Sequence, residues 1–232
     1  MSDDRAPLLA VLIDCDNVPA KFAGPIFEEI ATLGEASVRR TYGDFTEDRM
    51  RRWSEQQAQL GLVPHHQPAN TVGKNASDIA LVIDAMDLLH TGRFDAFVLV
   101  SSDSDFTRLA QRIREQGKDV FGFGEKKTPE AFRMACKRFI YVENLGAGGD
   151  DAPADKRETL SRAAQLVGNA LADVEEDESG AGLGAVGQQL AKRYPDFDPR
   201  TYGYRKLSEL VRALKGFEVS GSGRNLRLQK KG

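Results

Sequence analysis

The chain has 232 residues, 41% of them hydrophobic, and a formal net charge of −3. That length admits one or two domains with a sizeable core, and no apolar run nears the roughly 20 residues a membrane-spanning helix needs. The opening "MSDDRAP" lacks the apolar region of a secretory signal, and Cys15 and Cys136 are too few for a disulfide framework or a thiolate zinc site, so a reduced, cytoplasmic protein with no membrane association is expected.

Leu8–Ile13, "LLAVLI", is a continuous apolar run, as a strand buried on both faces of a parallel sheet requires. Ala36–Tyr42 reads as a weaker strand, and Thr46–Leu60 as a helix with Thr46 at its N-cap. Leu62–Pro68 is a short strand. A long helix over Lys74–Gly92 follows, with Asn75 and Ser77 as capping candidates and Gly92 as its stop. The strand Ala96–Val100, a helix Phe106–Gln116 closed by Gly117, and a strand Asp119–Gly124 come next. A helical piece from Pro129 and the strand Phe139–Val142 complete the alternation. Strands alternating with helices predict an α/β fold, a mostly parallel sheet covered on both faces.

Gly146–Glu158, "GAGGDDAPADKRE", breaks the pattern and reads as a linker. Beyond it a helix over Glu158–Val174 leads to a small helical unit ending in two short strands, "FEVS" and "NLRLQ", the outline of a winged helix. Charge divides along the same lines. Ala181–Gly232 carries 11 Lys+Arg against 4 Asp+Glu, whereas Asp150–Gly180 carries 3 against 9. A basic terminal module suggests contact with a polyanion.

Ligands of open parallel sheets collect outside the carboxyl ends of the strands, and three acidic groups fall there. Asp14 and Asp16 follow the first strand in "IDCDN", Asp103 and Asp105 follow another in "SSDSDF", and Asp78 lies in the first turn of the long helix. Two unit charges ~4 Å apart repel by about 4 kcal/mol at an effective dielectric near 20. Such a group takes up protons or a cation. All-oxygen ligands suit Mg²⁺ or Mn²⁺, and carboxylate-held metals serve phosphodiester hydrolysis. Asp103 is the choice for direct ligand, with Asp105 acting through water or serving the helix cap. Asp84 and Asp87 lie roughly 120° and 180° around the helix from Asp78 and belong to a solvated face. Lys74 is placed to meet a phosphate and Asn17 to orient a ligand, while His65 and His66 pack or face solvent.

"VLIDCDNVP", "KNASDIALVIDAMDLL", "FVLVSSDSDFTRLAQRIREQGKDVFGFG" and "TPEAFRMACKRFIYVENL" resemble the NYN domain in its LabA-like branch, related to PIN-type nucleases. The resemblance implies a PIN-like three-layer α/β/α sandwich over residues 1–145 and a divalent-metal ribonuclease site, with RNA, single-stranded or structured, as substrate. By that resemblance Asp14, Asp78, Asp103 and Asp105 ligate metal or bound water, and Asn17 and Ser101 support them. Ser102 stands where many relatives have Gly. After a linker at 146–157, residues 158–232 resemble the OST-HTH (LOTUS) domain, carried by "YPDFDPRTYGYRKLSELVRAL" with Phe197, Tyr202, Tyr204, Leu207 and Leu210 as core. That family binds RNA or protein partners. Lys74 and Ser101 in the first domain, and Arg200, Arg205, Lys206, Arg212 and Arg224 in the second, are the candidate RNA contacts. Two other readings remain open. "DCDNV" also fits the Asp-x-Asp-x-Val of haloacid-dehalogenase-type phosphatases, with Asp14 as nucleophile. A silent nuclease domain would instead make the chain an RNA-binding adaptor. Oligomeric state is left open.

Overall fold

The computed structural model describes residues 5–46, 50–66, 76–146, 156–175 and 180–231, with the side chains of 156–159 and Arg224 outside that description. Six strands, β1 Leu8–Asp14, β2 Glu35–Gly43, β3 Val63–His66, β4 Ala96–Val100, β5 Asp119–Gly124 and β6 Arg138–Tyr141, pair in the order β3-β2-β1-β4-β5-β6. Every pairing is parallel. Chain order reverses between β1 and β4. At such a switch point neighbouring connections leave in opposite directions and open a crevice at the carboxyl edge.

Alternation along the central strands builds a core on each face. Ala10 and Leu12 of β1, with Phe97 and Leu99 of β4, pack beneath α3 Ala76–His90, α4 Thr107–Glu115 and α5 Glu130–Ala135. Leu9, Val11 and Ile13, with Ala96, Val98 and Val100, pack beneath α1 Ala23–Ile30 and α2 Arg51–Leu60. The central strands are therefore apolar at every position, which explains the unbroken run at Leu8–Ile13. The expected three-layer α/β/α arrangement is present.

Several boundaries differ from the sequence reading. Helix α1 carries Gly24 and Pro25 in its first turn and went unpredicted; its buried Ala23, Ile26 and Ile30 hold it to the sheet. Helix α2 begins at Arg51, and the Thr46 hydroxyl donates to Asp44 Oδ1 at 2.5 Å instead of capping it. Asn75, proposed as a cap for α3, lies outside the described residues. Asp84 does not face solvent: it pairs with Arg40 of β2 and accepts from the Tyr42 hydroxyl. His65 packs its ring 5.2 Å from that of Tyr42.

The chain divides into two compact units, at Met1–Gly146 and Ala147–Gly232. The second contains α6 Lys156–Leu171, β7 Ala181–Gly182, α7 Leu183–Arg193, α8 Leu207–Ala213, β8 Phe217–Ser220 and β9 Arg227–Lys230. Its antiparallel sheet has the order β7-β9-β8, so the two predicted strands gain a third too short to signal itself in sequence. Tyr202 and Leu210 are buried in its core, with Phe197, Tyr204 and Leu207 packed against them. Among the described residues no helix is long and apolar enough to cross a membrane.

Candidate active site

The acidic residues meet at the switch point. Asp14, of the same strand parity as Leu12, projects to the α3 face, as does Ser101 one residue beyond β4. Asp14 is 1% exposed, and three donors fix its carboxylate. Ser101 Oγ and Asn17 Nδ2 donate to Oδ2 at 2.7 and 2.8 Å, and the Asp16 N–H donates to Oδ1 at 3.1 Å. Burial raises the Asp14 pKa, opposed by the Ser101 and Asn17 hydrogen bonds and reinforced by Asp16.

The turn after β4 is tied to the same point. Ser101 Oγ accepts from the Asp103 N–H at 3.0 Å while donating to Asp14, so one hydroxyl links the two acidic turns. Ser101 is itself 1% exposed. It positions carboxylates, which corrects its expected place among RNA contacts. Asp103 caps the short 3-10 turn Ser104–Phe106 by accepting from the Asp105 N–H at 2.9 Å. Of the two carboxylates acceptable as a cap there, Asp103 takes the role, and the Asp105 side chain is exposed. On that same α3 face, Gly124 at the end of β5 allows close packing: a Cβ there would lie 2.5 Å from the Ser101 carbonyl oxygen and 3.0 Å from the Phe139 ring.

From α3, Asp78 completes the group. Its pKa is raised to about 6, first by burial and then by Asp14, Asp103, Asp16 and Asp105 in that order. Asp16, absent from the carboxylates chosen as ligands from sequence, therefore belongs to the site, and its Oδ2 accepts from Ser77 Oγ of α3 at 3.2 Å. Its signal was its place in "DCDN", two residues after Asp14. Among the described residues no ion pair falls on Asp14, Asp78, Asp103 or Asp105. The negative charge there is uncompensated by those side chains.

The donor chemistry fits a hard divalent cation. Among the described residues, however, no three His, Cys, Asp or Glu side chains are disposed to enclose one. That arrangement is compatible with Mg²⁺, which is commonly held by one or two carboxylates and keeps several waters. Asp14, buried and held by three donors, is poorly presented for nucleophilic attack, which disfavours the phosphatase reading.

The repulsion around Asp78 has a measurable consequence. Because its folded pKa lies above the ordinary 3.8, its favourable contribution is full below about pH 4 and is lost as pH rises through about 6. Screening at this half-exposed site leaves about 1 kcal/mol of the roughly 3 kcal/mol ceiling. Asp78→Asn should remove that slope: relative to wild type, the metal-free variant gains about 1 kcal/mol between pH 4 and pH 7. Chemical denaturation at the two pH values checks this, and an unchanged difference contradicts the repulsion.

The other candidate contacts separate clearly. Arg205, Lys206 and Arg212 are exposed on the second unit. Arg200 is fastened to Asp198, with Nη2 donating to Oδ2 at 2.7 Å and Nε to the same oxygen at 2.9 Å, so it serves the local fold first. Lys74 and the Arg224 side chain lie outside the described residues.

Residues 8–143 match the model of the NYN domain, and residues 158–228 match that of the OST-HTH/LOTUS domain. The chain belongs to the NYN domain family. NYN domains form a PIN-like nuclease family and OST-HTH domains bind RNA, which supports a nuclease or RNA-binding role for this NYN protein. A crystal structure of a protein of unknown function, VPA0982 from Vibrio parahaemolyticus RIMD 2210633, is similar over 61% of this chain and 96% of its own. It has 22% identity and a TM-score of 0.51, a likeness of fold. An ABC transporter, LacI family transcriptional regulator from Brachyspira murdochii, aligns over 85% of this chain and 55% of its own at 15% identity, with a TM-score of 0.32. No curated protein matches the sequence.

Proposed function

We propose that this NYN protein is a divalent-metal-dependent ribonuclease, acting as an endonuclease, whose OST-HTH domain contributes RNA binding. The observation that carries the reading is the group of Asp14, Asp16, Asp78, Asp103 and Asp105 at the switch point, acting together on Asp78. Mg²⁺ or Mn²⁺ is the proposed cofactor. When bound, such an ion supplies charge stabilisation at the phosphoryl group and lowers the pKa of water. Asp14 and Asp103 are the proposed ligands, with Asp78 and Asp105 receiving protons or holding water at the rim. Asn17 and Ser101 orient Asp14, so its charge is aimed before substrate arrives. Exposed Arg205, Lys206 and Arg212 are proposed to attract the phosphate backbone.

Labelled single-stranded RNA incubated with Mn²⁺ or Mg²⁺ should be cut internally, and chelation with EDTA should stop the reaction. Cleavage that persists in EDTA overturns the metal assignment. RNA binding without turnover in either metal favours the adaptor reading.

A further inference from the structure

A pocket of about 380 Å³ opens beside the acidic site and shares Asp16 and Asn17 with it. It lies between the loop after β1, the start of α2 and the loop after β5. Asp14 and Asp78 belong to the α3 side of the sheet, whereas Val18, Met50 and Trp53 of the pocket belong to the core beneath α1 and α2. The site and the pocket thus meet at the carboxyl edge through Asp16 and Asn17.

The lining has two characters. Pro19 and Ala20 give it an apolar floor over the buried Val18, Met50 and Trp53, while Lys21, Arg52 and Lys127 bring three cations from three separate segments and Asp16 and Glu125 bring two carboxylates. All three cations are exposed. Lys21 Nζ lies 4.8 Å from the Phe22 ring centroid, and Lys127 pairs with Glu125 at 2.6 Å. These cations stand in contrast to the carboxylates at the shared edge. A ligand fitting both needs an anionic group for the cations and a flat, partly apolar body for the floor. The volume is at the small end of the roughly 300–1,000 Å³ usual for ligand pockets, enough for one nucleotide and too small for a duplex.

Resting on the ribonuclease reading, we propose that this pocket is a nucleotide subsite that receives one unpaired nucleotide adjoining the scissile phosphate. The cations take its phosphate and the floor takes its sugar and base. A base must leave its stack to enter such a pocket, which costs least in a single strand or loop.

Trp53, the chain's single tryptophan, lines the pocket and supplies a readout independent of catalysis. Its indole N–H donates to the Val18 carbonyl at 3.0 Å, so it reports on the floor without stacking on the ligand. Tetrauridylate and uridine 5′-monophosphate, added to the full chain in EDTA, should change Trp53 emission saturably. In the Lys21→Ala/Arg52→Ala variant the tetrauridylate Kd should rise about tenfold, and the slope of log affinity against log salt should shrink by about 0.7, the value for one neutralised single-strand phosphate. Short RNA duplex should compete poorly. Equal Kd values for variant and wild type, or duplex competing as well as single strand, overturn the subsite. If titration behaves as expected but no RNA is cut in Mn²⁺, the ribonuclease reading fails while the pocket assignment stands.

Discussion

Asp103→Asn should lower metal-dependent RNA cleavage by about 10²–10³-fold or more, the scale of losing one preorganised electrostatic group at a reaction centre. RNA affinity should stay near that of wild type. Asn is the informative replacement because Asp103 does two things: its charge faces the acidic group, and its Oδ1 accepts the Asp105 N–H. The Asn carbonyl keeps the cap and removes only the charge, so the fold should survive. Asp103→Ala would remove both and lose about 1 kcal/mol through the cap. Initial rates at saturating Mn²⁺, with binding measured in EDTA on the same samples, separate catalysis from affinity. A variant that cuts RNA at the wild-type rate removes Asp103 from the machinery.

Ser101→Ala should reduce cleavage by about 10–100-fold, the usual cost of losing a group that orients a metal ligand. Stability should fall by about 1.5–3 kcal/mol, as for a hydrogen bond to a charged group. The size of the effect follows from one hydroxyl serving two turns, donating to Asp14 Oδ2 and accepting from the Asp103 N–H. A positioning role makes a further demand. The Mn²⁺ concentration giving half-maximal rate should rise, since Asp14 is no longer held. Denaturation midpoints and metal titrations of rate check the two parts. A stability loss with unchanged metal dependence would leave Ser101 as a packing residue only.

Much of the site was legible because its residues follow strand ends. The apolar runs at Leu8–Ile13 and Ala96–Val100 announce buried parallel strands, and parallel strands bring their carboxyl ends to one edge. Asp14 and Asp103 were therefore placed by local pattern alone. Helical periodicity placed Asp84 away from Asp78, but not in the ion pair with Arg40, 44 residues earlier. It gave no sign of which carboxylate caps the turn at Ser104–Phe106, since Asp103 and Asp105 are both acceptable there. Asp16 was visible as a charge; its contact with Ser77 spans 61 residues and leaves no local trace. The two-residue strand β7 is too short for any periodicity.

By itself the sequence determined what depends on near neighbours along the chain: strand and helix types, the acidic turns, and a basic terminal module. Tertiary structure decided what depends on strand order. Placing β4 beside β1, although β2 and β3 intervene in the chain, puts Ser101 within 2.7 Å of Asp14. The same order turns separate acidic segments into one mutually repelling group around Asp78, and gathers Lys21, Arg52 and Lys127 at a neighbouring pocket. Charge acts through distance in space, and only the folded sheet sets those distances.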